Sequence, residues 1–183
     1  GCCNECVQSI LRHPDAMLWL SKIRNENEYT AEHSLNVCIL AVSFGRQLGM
    51  EEQDLQKLGL CGLLHDIGKI GIPAEILSKP GRLSRSEMDL IREHSQKGYE
   101  ILKSVEYPWP IADAVLQHHE RMDGSGYPQG LSGDQIGIEA RIMAVADTIE
   151  AMSAHRPYRA GLGLDAALNE IERGNGMQYD TAT

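Results

Sequence analysis

The chain has 183 residues, 42% of them hydrophobic and 5% aromatic, with a formal net charge of −9. That length fits one domain with a substantial core, and the negative charge argues against a nucleic-acid polymer as the main partner. No apolar run approaches the ~18 residues needed to cross a bilayer, no signal-peptide pattern opens the chain, and the five cysteines are odd in number and scattered, as suits reduced thiols in a cytoplasmic protein.

The pattern reads as helix after helix, with no convincing period-2 strand. A short opening helix spans about residues 4–12 and ends at Pro14; Asp15 is placed to cap the next, which runs to Lys22. Cys2, Cys3 and Cys6 cluster at the start, but no second Cys or His pair follows nearby, so a metal knuckle is not expected. From Tyr29, the residues His33, Val37, Leu40, Ala41, Phe44 and Leu48 share one helical stripe that ends at Gly49. A further helix covers about Glu51 to Asp66. Gly68, Gly71 and Pro73 then mark a turn before a single helical turn at Ala74–Ser78. Ser84 and Glu87 have capping-box spacing at the head of a helix reaching about Ser104, and Pro110 suits the first position of a helix carrying Ile111 to Glu120. The longest irregular stretch, Arg121 to Gly137, holds five glycines and a proline; a loop of that length between helices is more often functional than decorative. A helix from about Glu139 to Ala154 follows, then the basic turn RPYR at 156–159, then a last helix over Leu164–Arg173 closed by Gly174. No internal repeat or low-complexity linker interrupts the chain, whose abrupt ends suggest a catalytic portion of a longer protein.

His65-Asp66, in LGLCGLLHDIGKIGIP, is the most informative pair. An imidazole beside a carboxylate, followed by Gly68 and Lys69, offers nitrogen and oxygen ligands with a cation next to them, the equipment of a hydrolytic metal centre acting on a phosphate ester. A lone HD dipeptide means little. Here His33 lies four residues before Val37 on an apolar stripe, His94 lies four after Leu90, and His118 and His119 lie three and four after Val115, so each imidazole is expected to point inward. Asp147 sits among Ile142, Met143, Val145 and Ala146, where a carboxylate is costly unless paired or metal-bound. Any one of these histidines taken singly is more often a hydrogen-bonded core residue than a ligand, and His13 and His155 are assigned to that class or to the surface. Five inward histidines and two carboxylates are harder to explain so, because each would need its own buried partner. Seven ligands are too many for one zinc. They suit two divalent cations, iron or manganese before nickel, magnesium or zinc, with Asp66 as the bridge and Lys69 placed to bind a phosphate oxygen. Two such cations can hold a hydroxide at neutral pH and clamp both sides of an in-line displacement.

HSLNV, LLHDIGKIGIP, ILSKPGRLS, HHERMDGSGYPQGL, ARIMAVADTIEAM and RPYR together resemble the HD-GYP family, a branch of the HD phosphohydrolase superfamily, over roughly residues 27–180. The resemblance implies an all-α HD-domain bundle of about seven helices with an irregular GYP loop between two of them. Residues 1–26 would then form an N-terminal helical segment and 27–183 the catalytic domain. It further implies hydrolysis of the bacterial second messenger cyclic di-GMP to linear pGpG and on to GMP. By motif, His33, His65, Asp66 and Asp147 would hold one metal, and Asp66, His94, His118 and His119 the other. Asp66 and Lys69 are the catalytic candidates; Asn27, Lys69, Gly126, Tyr127, Glu150, Arg156 and Arg159 are the substrate-binding ones, and arginine forks suit phosphate on physical grounds as well. The Gly126-Tyr127-Pro128 loop is linked in the family to contacts with GGDEF-type cyclase domains; turn, substrate contact and docking surface all stay open for it.

Three positions depart from the family pattern. Tyr29 stands where three-metal members carry glutamate, so two metals are expected. Asn27 and Glu150 stand where many members carry aspartate, which bears on guanine recognition more than on the metals. The expected function is therefore a cyclic di-GMP phosphodiesterase, with the hybrid cyclic GMP-AMP as alternative substrate. A non-hydrolysing module that binds cyclic dinucleotide or a GGDEF partner is the competing class. No membrane contact is expected.

Overall fold

The computed structural model describes residues 2–12, 14–26, 28–105, 111–154 and 161–183. Among them run nine α-helices: α1 (Cys2–Leu11), α2 (Pro14–Glu26), α3 (Glu28–Gln47), α4 (Glu52–Leu64), α5 (Ala74–Leu77), α6 (Arg85–Leu102), α7 (Ala112–Gln117), α8 (Ile138–Ser153) and α9 (Leu164–Gly174). Two 3-10 turns, Ile67–Gly71 and Gly133–Gln135, interrupt the connections, and no strand occurs among the described residues beyond two isolated bridges. The all-α expectation holds among the described residues, with nine helices where about seven were expected. None of the described helices is long and apolar enough to cross a membrane.

Several ends follow from local chemistry. Ser84 caps α6 as its spacing indicated: its hydroxyl accepts from the Glu87 amide at 3.2 Å, and the Glu87 carboxylate accepts from the Ser84 amide at 2.7 Å. Pro14 opens α2, where its missing N–H costs nothing, so Asp15 lies inside the first turn rather than ahead of it. His13, Asn27, Pro110, His155, Arg156 and Arg159 lie outside the described residues.

The larger of two buried clusters among the described residues holds most of the bundle. Val7 and Ile10 of α1, Ala16 and Ile23 of α2, Val37 and Ala41 of α3, Leu63 and Leu64 of α4, Val115 of α7, and Ile142 and Met143 of α8 belong to a single buried cluster. The buried face of α3 is turned from the expected stripe. Val37 and Ala41 are on it, but Cys38, Val42 and Gly45 complete it, while Leu40 and Phe44 are half-buried and Leu48 is exposed. Small residues line the α4 side because the two helices pack closely there. Leu40 and Phe44 instead help Val145, Ile149, Ala167 and Tyr179 fasten α9 to α8.

The larger correction concerns α7. It stops at Gln117 rather than continuing to Glu120, because the His119 carbonyl accepts from the Tyr127 amide at 3.2 Å instead of from a further helical turn.

Candidate metal centre

The seven residues expected to ligate metal meet in one buried place, arriving from three helices and from the ends of two others. His33 comes from α3, His94 from α6 and Asp147 from α8. His65 and Asp66 follow the last residue of α4, and His118 and His119 follow α7. Groups of ligand atoms within metal-binding reach are His33, His65 and Asp66; His94, His118 and His119; and His65, His118 and Asp147. The third group joins the other two. Such a junction requires the turn after α4 to press against α6, and Gly68 permits it: a Cβ there would lie 1.8 Å from the His94 carbonyl oxygen.

Orientation of the rings is set from behind. Nδ1 of His65 donates to the Gly62 carbonyl at 2.7 Å, Nδ1 of His94 to Ile91 at 2.6 Å, and Nδ1 of His118 to Val115 at 2.5 Å, in each case three residues back along the chain. His33 uses the Glu150 carboxylate for the same purpose. With Nδ1 protonated, the neutral ring turns an Nε2 lone pair inward, the form that binds metal.

The inward nitrogens then face one another: Nε2 of His94 and His118 are 3.3 Å apart, as are Nε2 of His33 and His65. For His94 and His118, whose protons are both on Nδ1, two lone pairs confront each other at a distance that only a shared cation makes favourable. The donor set therefore fits metal. Asp66 stands between the groups, with Oδ2 at 3.6 Å from His33 Nε2 and 3.4 Å from His65 Nε2, and Oδ1 at 3.5 Å from His94 Nε2. One carboxylate with an oxygen toward each group is what a bridging ligand needs.

The electrostatics agree. Burial would raise the Asp66 carboxyl, but the Lys69 ammonium, 2.6 Å from Oδ2, and the imidazoles of His65, His94 and His33 hold it well below the carboxylate range. Asp147 is also held well below that range, burial being outweighed by His33, at 3.1 Å, and by His65. Burial, reinforced by neighbouring imidazoles, drives His118 far down. His119 falls to about 3 through burial and His94, against the pull of Asp147 and Asp66. His94 is lowered as well, burial and Lys69 prevailing over Asp66. His33 goes the other way: burial lowers it, but Asp147 and Glu150 push it up to about 9.

The remaining expected residues are placed as follows. Lys69 is partly open to solvent, on Asp66. Tyr127 stacks on the His119 ring, centroids 4.8 Å apart, with the Arg92 guanidinium 5.2 Å from its own centroid. Gly126 makes that stacking feasible, since a Cβ there would fall 2.4 Å from the His119 carbonyl oxygen. Glu150, expected at the substrate, is buried behind His33, its other oxygen accepting from Asn36 Nδ2 at 3.1 Å. Two residues were missed by sequence reasoning. Asn36 lies one helical turn after His33, a spacing that pointed to it. Glu120, 2% exposed, accepts from the amides of Gln129 at 2.7 Å and Leu131 at 2.9 Å and so anchors the GYP loop; an acidic residue directly after a histidine doublet was the available signal.

A family model described as HD domain matches residues 19–183. The chain belongs to the HD domain family. Its resemblance to the HD-GYP branch agrees with the relatives it matches. It is 41% identical over 174 residues to a cyclic di-GMP phosphodiesterase of Pseudomonas aeruginosa, covering 94% of this chain and 42% of that protein. It is 39% identical over 154 residues to a 3'3'-cGAMP-specific phosphodiesterase of Vibrio cholerae, covering 84% of this chain and 36% of that protein. The HD domain here thus spans less than half the length of these relatives. Among solved structures, an HDG"Y"P protein from Bdellovibrio bacteriovorus superposes with a TM-score of 0.68 at 18% identity, over 99% of this chain and 59% of that one, a likeness of fold.

Proposed function

We propose that this domain is a metal-dependent phosphodiesterase that opens a cyclic dinucleotide, cyclic di-GMP first and the hybrid cyclic GMP-AMP as the alternative. The observation that carries the reading is Asp66, with one oxygen toward each group of imidazoles and Lys69 on its open side. The names of the relatives point to the same substrate class. Two divalent cations, iron or manganese in preference to nickel, magnesium or zinc, would be held by His33, His65, Asp66 and Asp147 and by Asp66, His94, His118 and His119, supplying Lewis-acid charge and an activated water at neutral pH.

The chain's own residues do the rest. The partly exposed Lys69 ammonium binds a non-bridging phosphate oxygen and balances the charge that develops there. The four Nδ1 partners keep the rings from turning, so the ligand set is organised before substrate arrives. Tyr127, stacked on His119, holds the GYP loop against the centre. The exposed tip of that loop, Pro128 to Gly130, is where a GGDEF-domain partner would dock. A cytoplasmic location suits the reduced thiols that five scattered cysteines imply. Hydrolysis to pGpG, and on to GMP, is expected. Metal analysis of the purified protein together with product analysis on both cyclic dinucleotides tests the proposal. Metal-replete protein that binds nucleotide and releases no linear product would instead support the binding module.

A further inference from the structure

A cleft of about 230 Å3 opens directly beside Asp66 and Lys69. Its walls are apolar and come from three parts of the chain: Ile23 from α2, Ile70 and Ile72 from the 3-10 turn and the residue after it, and Ala74 and Leu77 from α5. Ile70 as a whole is 38% exposed.

We infer that this cleft seats one purine base of the cyclic dinucleotide and sets how strictly the domain selects its substrate, an inference that rests on the phosphodiesterase reading above. The volume decides what fits. Clefts that take a whole drug-sized ligand run to ~300–1,000 Å3, so this one receives a single ring system while the rest of a larger molecule stays outside. The mouth decides what that ring is attached to. Lys69 and Asp66 line the same cleft as the apolar walls, so it suits an occupant that joins an apolar group to an anion, as a nucleotide joins its base to a phosphodiester. Aliphatic walls hold a base by its faces, as apolar side chains do in pockets that receive a flipped base.

The edge contact is permissive. The Ser78 hydroxyl, also in the lining, donates to the Ala74 carbonyl at 2.7 Å. Its proton is committed, so it offers a ligand only an acceptor. Guanine and adenine both carry an amino group able to meet it. A pocket that works by shape and apolar contact separates close analogues by far less than one that hydrogen-bonds the distinguishing group. The cleft therefore accepts a purine, and its apolar walls and Ser78 discriminate weakly between guanine and adenine; the Thr30 hydroxyl is the other uncharged polar group of the lining.

The test fills the cleft from two walls. Ala74 and Ile70 are both exposed, so Ala74→Trp and Ile70→Trp spare the core, and thermal unfolding of each variant checks this. Metal-loaded wild type and variants are assayed on cyclic di-GMP and on methyl p-nitrophenyl phosphate, which has a scissile diester but no base. In both variants the ratio of kcat/KM for cyclic di-GMP to that for methyl p-nitrophenyl phosphate falls by about 10-fold or more, chiefly through KM. A ratio left at the wild-type value in either variant, with cyclic di-GMP still hydrolysed by wild type, overturns the cleft assignment alone. Wild type that hydrolyses neither substrate overturns the phosphodiesterase reading and this inference with it.

Discussion

The two halves of the metal centre are built from different chemistry. The half around His33 and His65 is rich in carboxylate: Asp147 lies 3.1 Å from His33 Nε2, and Glu150 is bonded to its Nδ1. The half around His94, His118 and His119 has imidazoles only, and shares Asp66 with the first. The consequence shows in the rings, with His33 pushed up to about 9 and His119 down to about 3. His33 thus holds a proton across the neutral range, whereas His94, His118 and His119 are all pushed toward the neutral ring. Asp66 lies between a charge-rich group that holds a proton and an imidazole group that sheds them.

The largest effect is expected at the shared residue. Asp66→Ala should abolish hydrolysis and release metal from both halves, as read by elemental analysis; a variant that keeps full turnover removes the bridge. Lys69→Ala comes next. It should lower kcat by about 10²–10³-fold, the usual cost of losing one donor to developing charge, with metal content unchanged. Loss of metal in that variant would mean that Lys69 serves Asp66 rather than substrate.

A smaller and one-sided effect is expected from Glu150→Gln. It should weaken the His33 half by about 10–100-fold in metal affinity, the range for groups behind a ligand, while the imidazole half keeps its cation. Equal weakening of both halves would dissolve the contrast between them.

The smallest effect is a pH dependence of the metal-depleted protein. The folded-state value of His33 lies above its unfolded value near 6.5, so its contribution to stability is complete below pH 6.5 and is lost as pH rises through about 9. The melting temperature of the depleted protein should fall across that window. Added metal, which displaces the His33 proton, should remove the dependence.

How much of this was legible in the chain differs from residue to residue. The helices were, because period, caps and breakers are local: the capping box of Ser84 and Glu87 and the turn at Gly68 to Pro73 are where their spacing put them. The seven side chains that meet in the cluster were legible for a related reason, since a histidine or aspartate on an apolar stripe stands out against its neighbours. The end of α7 was not, because it depends on an amide eight residues further along, in Tyr127, reaching back to the His119 carbonyl. Nor was the placement of Glu150. From its spacing it reads as a second carboxylate beside Asp147, and only the approach of α3 to α8 turns it onto His33 Nδ1 and Asn36. The buried face of α3 was misread by a fraction of a turn, because helical period locates a stripe without telling which neighbour will be closest.

Residue types and spacings alone established an all-helical chain carrying nitrogen and oxygen ligands of the HD kind, since those are properties of side chains and of short-range backbone geometry. Tertiary structure alone decided that Nε2 lone pairs would face each other at 3.3 Å, that Asp66 would turn one oxygen to each group, and that Ile23 from α2 would wall a cleft beside Lys69. Those facts concern the direction of side chains on helices far apart in sequence, and direction is settled by packing, where one helix's small residues let another come close.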